Sequence, residues 1–185
     1  KSVKDLIDLA KSKEVNMASA GTGSQSHLSG AYFMQAANFK SLHVPYKGGG
    51  ASVASVIANE PQWTLTPAAA VMSHIGSGKL RAIGHSLPKP TPLLPKIPPI
   101  AETVPGFDYS GWQGFFMPKG TSRAIVDKVR AATIKAAESP EVRKQFASQA
   151  TEVVIRGPEE FQKVVQRSMV QNAKVVESIG LKGSQ

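Results

Sequence analysis

Apolar and polar positions along the chain alternate between two periods, one helical and one extended, and this alternation predicts the elements. Val3, Leu6, Ile7 and Ala10 fall on one helical face behind Ser2-Val3-Lys4-Asp5, a capping-box entry with Asp in the Glu position, so a helix is predicted over Ser2–Lys13. A short strand, Val15–Ser19, runs into Ala20-Gly21-Thr22-Gly23-Ser24, after which Leu28, Ala31, Tyr32, Gln35 and Ala36 carry a helical period. The unit then repeats. Leu42-His43-Val44 reads as a strand, Gly48-Gly49-Gly50 as a turn and Ala51–Ala58 as a helix with Val53, Val56 and Ile57 apolar. Trp63–Leu65 reads as a third strand, Pro67 as a first helical residue, Ala68–Ile75 as a helix and Leu80–Ile83 as the next strand. Strands separated by single helices need crossover connections, which makes the fold class α/β with a mostly parallel sheet and flanking helices.

The pattern changes at Leu87. Seven prolines between there and Pro105 forbid regular ladders and predict a semi-rigid surface loop. Tyr109–Met117 reads as a strand, and Pro118-Lys119-Gly120-Thr121 as a turn with Thr121 placed to cap a helix that runs to about Glu138. Its stripe is Ile125, Val126, Val129, Ala132 and Ala136. Ser139-Pro140-Glu141 restarts a short helix, Thr151–Ile155 is a β-branched strand, and a last helix over Pro158–Ile179 presents Phe161, Val165, Val175, Val176 and Ile179 inward before Gly180 stops it.

Composition narrows the function classes. With 185 residues, 41% hydrophobic and 19% charged, the chain can bury a core and is neither a disordered charged tail nor a membrane bundle. It has no cysteine, which excludes a disulfide framework, a Cys-based zinc site and a thiol nucleophile. The 22 basic and 13 acidic residues leave a formal net charge of +9, so anionic partners are favoured: a nucleic acid, a membrane surface or a small carboxylate. Val15–Phe39 and Pro61–Gly78 lack formal charge, but Gly, Pro, His and Ser interrupt them and neither reads as a membrane span. Lys1 stands first with no basic-then-apolar leader behind it, so the expectation is that any targeting segment has been removed or was never part of this sequence.

The segment richest in candidate chemistry is Ala20-Gly21-Thr22-Gly23-Ser24-Gln25-Ser26-His27. Glycines allow close backbone approach, the following helix aims free N–H groups outward, and Thr22, Ser24 and Ser26 add hydroxyls, a set that suits an anion. The helix-terminus field is worth about 0.3–1 kcal/mol and each charge-assisted hydrogen bond about 1.5–3 kcal/mol. The same residues also suit a tight turn that only caps a helix. Lys47-Gly48-Gly49-Gly50 offers a second such turn, where plain turn chemistry is the stronger reading.

Other motifs fail on mechanism. Gly76-Ser77-Gly78-Lys79 has Leu80 where a nucleotide loop needs Ser or Thr for magnesium, and it leaves a helix instead of opening one. His27, His43, His74 and His85 have no metal-ligand spacing and read as structural, so no metal or cofactor is expected. Ser86-Leu87-Pro88-Lys89 matches Ser-x-x-Lys in a proline-rich loop that cannot form the helical turn this pair needs. Arg123, Lys128, Arg130, Lys135, Arg143 and Lys144 crowd one region, but Asp127, Glu138 and Glu141 are interspersed, which reads as a solvated helix face and not a nucleic-acid surface. A basic nucleic-acid or anionic-surface module and an unrecognised α/β enzyme stand as alternatives.

Five segments in order carry a family resemblance: Asp5-Leu6-Ile7 with Ala10-Lys11, Ser19 to Leu28, His43-Val44-Pro45-Tyr46-Lys47-Gly48, Gly78-Lys79-Leu80-Arg81-Ala82, and Pro118-Lys119-Gly120-Thr121. Together they resemble the tripartite tricarboxylate transporter solute receptors, the Bug family of periplasmic binding proteins. The resemblance implies a type II periplasmic-binding-protein-like lobe that closes on a small organic acid without catalysing a reaction, and a membrane permease as partner. It implies a second lobe over 1–108, a crossover strand over 109–117 and the C-terminal part of a first lobe over 118–185, whose N-terminal portion the chain lacks. A weakened site and self-association through exposed apolar helices follow as expectations. Carried over by position, the binding loop falls on Ala20, Gly21, Thr22, Gly23, Ser24 and Ser26, with His27 opening its helix. Where the family usually has Asp-Asn or Asp-Ser, this chain has Thr66 and Pro67. The loss of that acidic acceptor disfavours a ligand with an amino group, and Trp63 would favour a flatter or more apolar acid if it faced the cleft.

Overall fold

The computed structural model describes residues 1–181. Helix α1 (Val3–Ser12) opens as the capping box predicts: the Asp5 N–H donates to Ser2 Oγ at 3.1 Å, and the Asp5 carboxylate accepts the Ser2 N–H at 3.0 Å. Val3 and Ile7 on its inner face are buried. Strand β1 (Asn16–Ser19) pairs in parallel with β2 (Leu42–Pro45), Met17 opposite His43 and Ser19 opposite Pro45. On the other side of β1, Met17 forms a parallel bridge with Trp63, and the Ala18 N–H donates to the Trp63 carbonyl at 2.9 Å. β1 is therefore central and buried, and β2 lies at an edge.

Helix α2 (Gln25–Ala36) returns from β1 to β2 across the sheet, and α3 (Gly49–Ile57) leads away from β2 and packs back on β1. Gly30 lets α2 approach the sheet: a Cβ there would meet Met17 Sδ. Phe33 is the centre of the core, with Phe39, Trp63 and Phe107 rings at 5.1, 5.7 and 5.7 Å in edge-on geometry. Val3, Ile7, Ile100, Val104 and Tyr109 complete the core, and Val175 is the contribution of the C-terminal helix.

Beyond Tyr109 the helices are α5 (Arg123–Glu138), α6 (Pro140–Ser148) and α7 (Pro158–Ser178). Ser139 caps α6 ahead of Pro140 as the sequence predicts, its Oγ accepting the Val142 N–H at 3.3 Å. A polar seam ties α7 to the rest. Tyr109 donates its hydroxyl to Asn172 Oδ1 at 2.6 Å, Gln171 Nε2 donates to the Asp108 carbonyl at 2.8 Å, and Trp112 Nε1 donates to Ser168 Oγ at 2.7 Å. Burial pushes the Tyr109 hydroxyl pKa up to about 12.

Several predicted elements differ. Leu80–Ile83, Tyr109–Met117 and Thr151–Ile155 are not strands, because a strand exists only through a ladder and, among the described residues, no segment pairs with them. Trp63–Leu65 contributes one bridge and no full strand. The predicted Ala68–Ile75 helix is a 3₁₀ turn, Ala68–Ala70, followed by the short α4 (Met72–Gly76). Thr121 does not cap α5: Ser122 holds the cap position without a side-chain bond, and Thr121 Oγ1 donates to the Pro118 carbonyl at 2.8 Å. The stripe of α5 is unburied, and of the five residues expected to face inward on α7 only Val175 is buried. Among the described residues no helix is long and apolar enough to cross a membrane.

Candidate functional site

Parallel strands place their carboxyl ends at one edge, and the bends that leave them open a crevice there. β1 ends at Ser19 and leads through the glycine bend into α2; β2 ends at Pro45 and leads through Tyr46-Lys47-Gly48 into α3. The two bends are joined: the Tyr46 N–H donates to the Ser19 carbonyl at 2.9 Å and the Gly48 N–H to the Ala20 carbonyl at 3.2 Å. Gly23 at φ +77° and Gly48 at φ +96° stand in the left-handed region that makes these turns possible. Both helix N-termini thus meet at one edge, and α3 begins with no side-chain cap.

The bend's own side chains brace much of it. Ser26 Oγ accepts the Ala20 N–H at 2.9 Å, Ser19 Oγ accepts the Gly21 N–H at 3.2 Å, and His27 Nδ1 accepts the Gly23 N–H at 3.1 Å. The Ser24 N–H goes to the Gly21 carbonyl at 3.1 Å, and Ser24 Oγ takes the His27 N–H at 3.3 Å. The described hydrogen bonds leave the N–H groups of the exposed Thr22 and Gln25 for an outside acceptor, beside the Thr22 and half-buried Ser24 hydroxyls, while Ser26 is buried. This is a smaller donor set than a bare bend would offer, and it is held in place in advance.

Two residues outside the predicted set do the bracing from below. His43 on β2 stacks on His27 with ring centroids 3.6 Å apart and planes 6° from parallel, and its Nε2 lies 2.6 Å from Ser19 Oγ. Burial holds both rings below the ordinary histidine range, His43 at about 4 with a further push from His27. A neutral His27 is what its role requires, since Nδ1 must accept from Gly23. No spacing in the sequence joins Ser19, His27 and His43; only the parallel register does. Among the described residues no group of three or more His, Asp or Glu side chains gathers as ion ligands.

Thr66 and Pro67 follow the Trp63 bridge on the third sheet position, and Leu65 is tied to α2 by its carbonyl, which accepts from Ser29 Oγ at 3.0 Å. Thr66 is half-buried and Pro67 exposed. Trp63 itself does not face the crevice: it is buried against Phe33 and Phe39 and donates Nε1 to Ser41 Oγ at 3.0 Å. Its bulk is spent on the core, so the expectation that it shapes ligand choice is withdrawn.

This α/β lobe, with two helix N-termini at its strand ends, has the fold of solved periplasmic binding proteins. The solved periplasmic binding protein BugD superposes with a TM-score of 0.85 at 27% identity, over 98% of this chain and 62% of BugD. The family model described as tripartite tricarboxylate transporter family receptor matches residues 1–181, and the chain belongs to that family. It is 38% identical over 130 residues to the UPF0065 protein of the clcB-clcD intergenic region of Pseudomonas knackmussii, covering 69% of this chain and 77% of that protein. It also superposes on MatC from Rhodopseudomonas palustris with bound malate, with a TM-score of 0.87 at 25% identity, over 95% of this chain and 62% of MatC. The chain spans about half the length of most curated relatives it matches, 44% to 57% of six of them.

Proposed function

We propose that the chain is part of a periplasmic receptor that captures a small carboxylate and hands it unconverted to a membrane permease of the tripartite tricarboxylate type. The observation that carries this reading is the sheet edge where α2 and α3 both begin, in a stretch, 15–59, without Asp or Glu, with the Thr22 and Gln25 amides left for an acceptor. Ala20, Gly21, Thr22, Gly23, Ser24 and Ser26 form the binding loop, His27 fixes its shape, and Thr66 and Pro67 flank it. With no carboxylate at Thr66-Pro67, an ammonium group on the ligand lacks its counter-charge. Binding shifts an open–closed equilibrium between two lobes, the second over 1–108, the first contributing 118–185, with 109–117 as the crossing. The burial pattern supports this division, since α5 and α6 have no buried residue. Phe115, Phe116, Met169 and Val170, 59% to 77% exposed, support self-association of the chain as it stands. A compact monomer in sedimentation at high concentration would end that part of the reading.

Because MatC holds malate, malate is the first probe, with aspartate as its amino counterpart and benzoate as an aromatic acid. Calorimetry should show malate bound without turnover and aspartate bound more weakly; preference for aspartate would refute the ligand class. Gly23→Asp and Gly23→Asn share shape and both tolerate the left-handed backbone, so their difference isolates charge. Losing one charge-assisted bond of about 1.5–3 kcal/mol makes Gly23→Asp weaker than Gly23→Asn by roughly tenfold or more. Equal affinities of the two variants would place the carboxylate elsewhere.

A further inference from the structure

A second concave surface lies at the other end of α2. A groove of about 830 Å³ runs between the last turns of α2 and the flank of α7 beside Val175, lined among others by Tyr32, Gln35, Lys163, Gln166, Arg167 and Lys174. At Ala36 it meets a neighbouring groove of about 410 Å³ along α1 that carries Lys4 and Lys11. The charge is one-sided. From Phe161 to Val176 helix α7 contains no acidic residue, and α2 contains no Lys, Arg, Asp or Glu. Asp108 is the one acid on the lining of the larger groove, and it is engaged by Arg167 at 3.5 Å and by Ser110. Among the described residues Lys11, Lys163 and Lys174 enter no ion pair.

We infer that this groove is a docking surface for an extended acidic segment of a partner protein. Lys163 and Arg167 are about 6 Å apart along the helix axis and Arg167 and Lys174 about 10 Å, at about 1.5 Å of rise per residue. Side chains on one face of an extended segment repeat every ~6.6 Å, so two acids separated by one residue match Lys163 and Arg167, and a further acid is within reach of Lys174 on its flexible stem. The side-chain amides of Gln35 and Gln166 stand on the same lining and suit the polar backbone of such a segment. A nucleic acid lacks stacking partners there, because Tyr32, the aromatic on the lining, packs its ring against Phe107 and Tyr109. The groove's residues on α2, Tyr32 to Ala36, stand about 10–17 Å along the helix from its start at the glycine bend, so the two places can be filled together.

The test is fluorescence anisotropy of a labelled peptide of alternating Glu and Gly titrated with the whole chain. Saturable binding that weakens as salt rises from about 0.05 M to about 0.5 M is expected. Lys163→Glu with Lys174→Glu should weaken it about tenfold through like-charge repulsion, and the milder Lys163→Gln with Lys174→Gln should weaken it less. Lys128→Glu with Lys135→Glu on α5 changes the net charge equally and should leave the affinity unchanged. An equal loss in the α5 variant would reduce the effect to general basicity and overturn the inference. So would tighter binding of anionic vesicles or a single-stranded oligonucleotide through Lys163 and Lys174, or absence of peptide binding. Saturating malate should not alter the peptide affinity, and a chain that binds the peptide but not malate would uphold the groove while ending the receptor reading.

Discussion

Up to Tyr109 the chain buries residues from every helix it packs against β1, whereas from Ser110 to Leu181 only Val175 is buried among the described residues. The first region is held by burial. The second is held by local devices: Ser139 capping α6, Glu160 reaching back to the Gly157 N–H at 3.4 Å, and Arg123 paired with Asp127 at 2.9 Å. A cap is worth about a kcal/mol, against about 3–5 kcal/mol for a buried aromatic ring, and an exposed ion pair adds little. The contrast teaches where the chain resists change and where little buried surface holds it.

Phe33→Ala attacks the stronger side. Removing the ring at the centre of the aromatic cluster should cost about 3–5 kcal/mol in urea unfolding, and a loss below about 1 kcal/mol would mean the first region has no closed core. Gly30→Ala is next: a methyl group driven toward Met17 Sδ should cost about 1–3 kcal/mol by overpacking, visible as a lower melting temperature.

Acid sharpens the comparison. His27, His43 and His85 are all held below the free-histidine value by burial, and His85 has no partner for either ring nitrogen, with Glu102 only partly offsetting. A depressed folded pKa means the unfolded chain binds more protons below about 6.5, so the neutral rings' contribution is fully present above that pH. Stability should therefore fall as pH drops from about 6.5 toward the His43 value of about 4. His43→Gln should flatten the slope; an unchanged slope would clear the stacked pair of the effect.

Tyr109→Phe probes the seam. It leaves Asn172 without its donor and should cost about 1 kcal/mol, with faster amide exchange in α7 than in α2. The smallest effect is expected at Ile125→Ala on α5, where a 54% exposed side chain should change stability by no more than about 0.5 kcal/mol. A larger loss would show that α5 packs on something in solution, which is the sedimentation question in another form.

How much could be read in advance follows the range of the forces. The α1 capping box, the Gly23 turn, Ser24 ahead of α2 and Ser139-Pro140 ahead of α6 were all legible, because each depends on atoms a few residues apart. Thr151–Ile155 has the β-branched character of a strand and is none, since propensity does not supply a ladder partner. At the site, the bend and its residue types were visible, but the bracing by Ser19 and His43 was not, for 24 residues separate Ser19 from His43 and only the register closes that gap.

The sequence by itself therefore determined the α/β alternation, the caps, the acid-free bend and the basic balance, all set by local sterics and by residue charge. Only the tertiary structure decided that Trp63 serves the core, that four of the bend's amides are already taken, and that three α7 cations face a groove with one acid. Those outcomes depend on which distant segments meet, and a linear pattern records what each segment can do but not what stands opposite it.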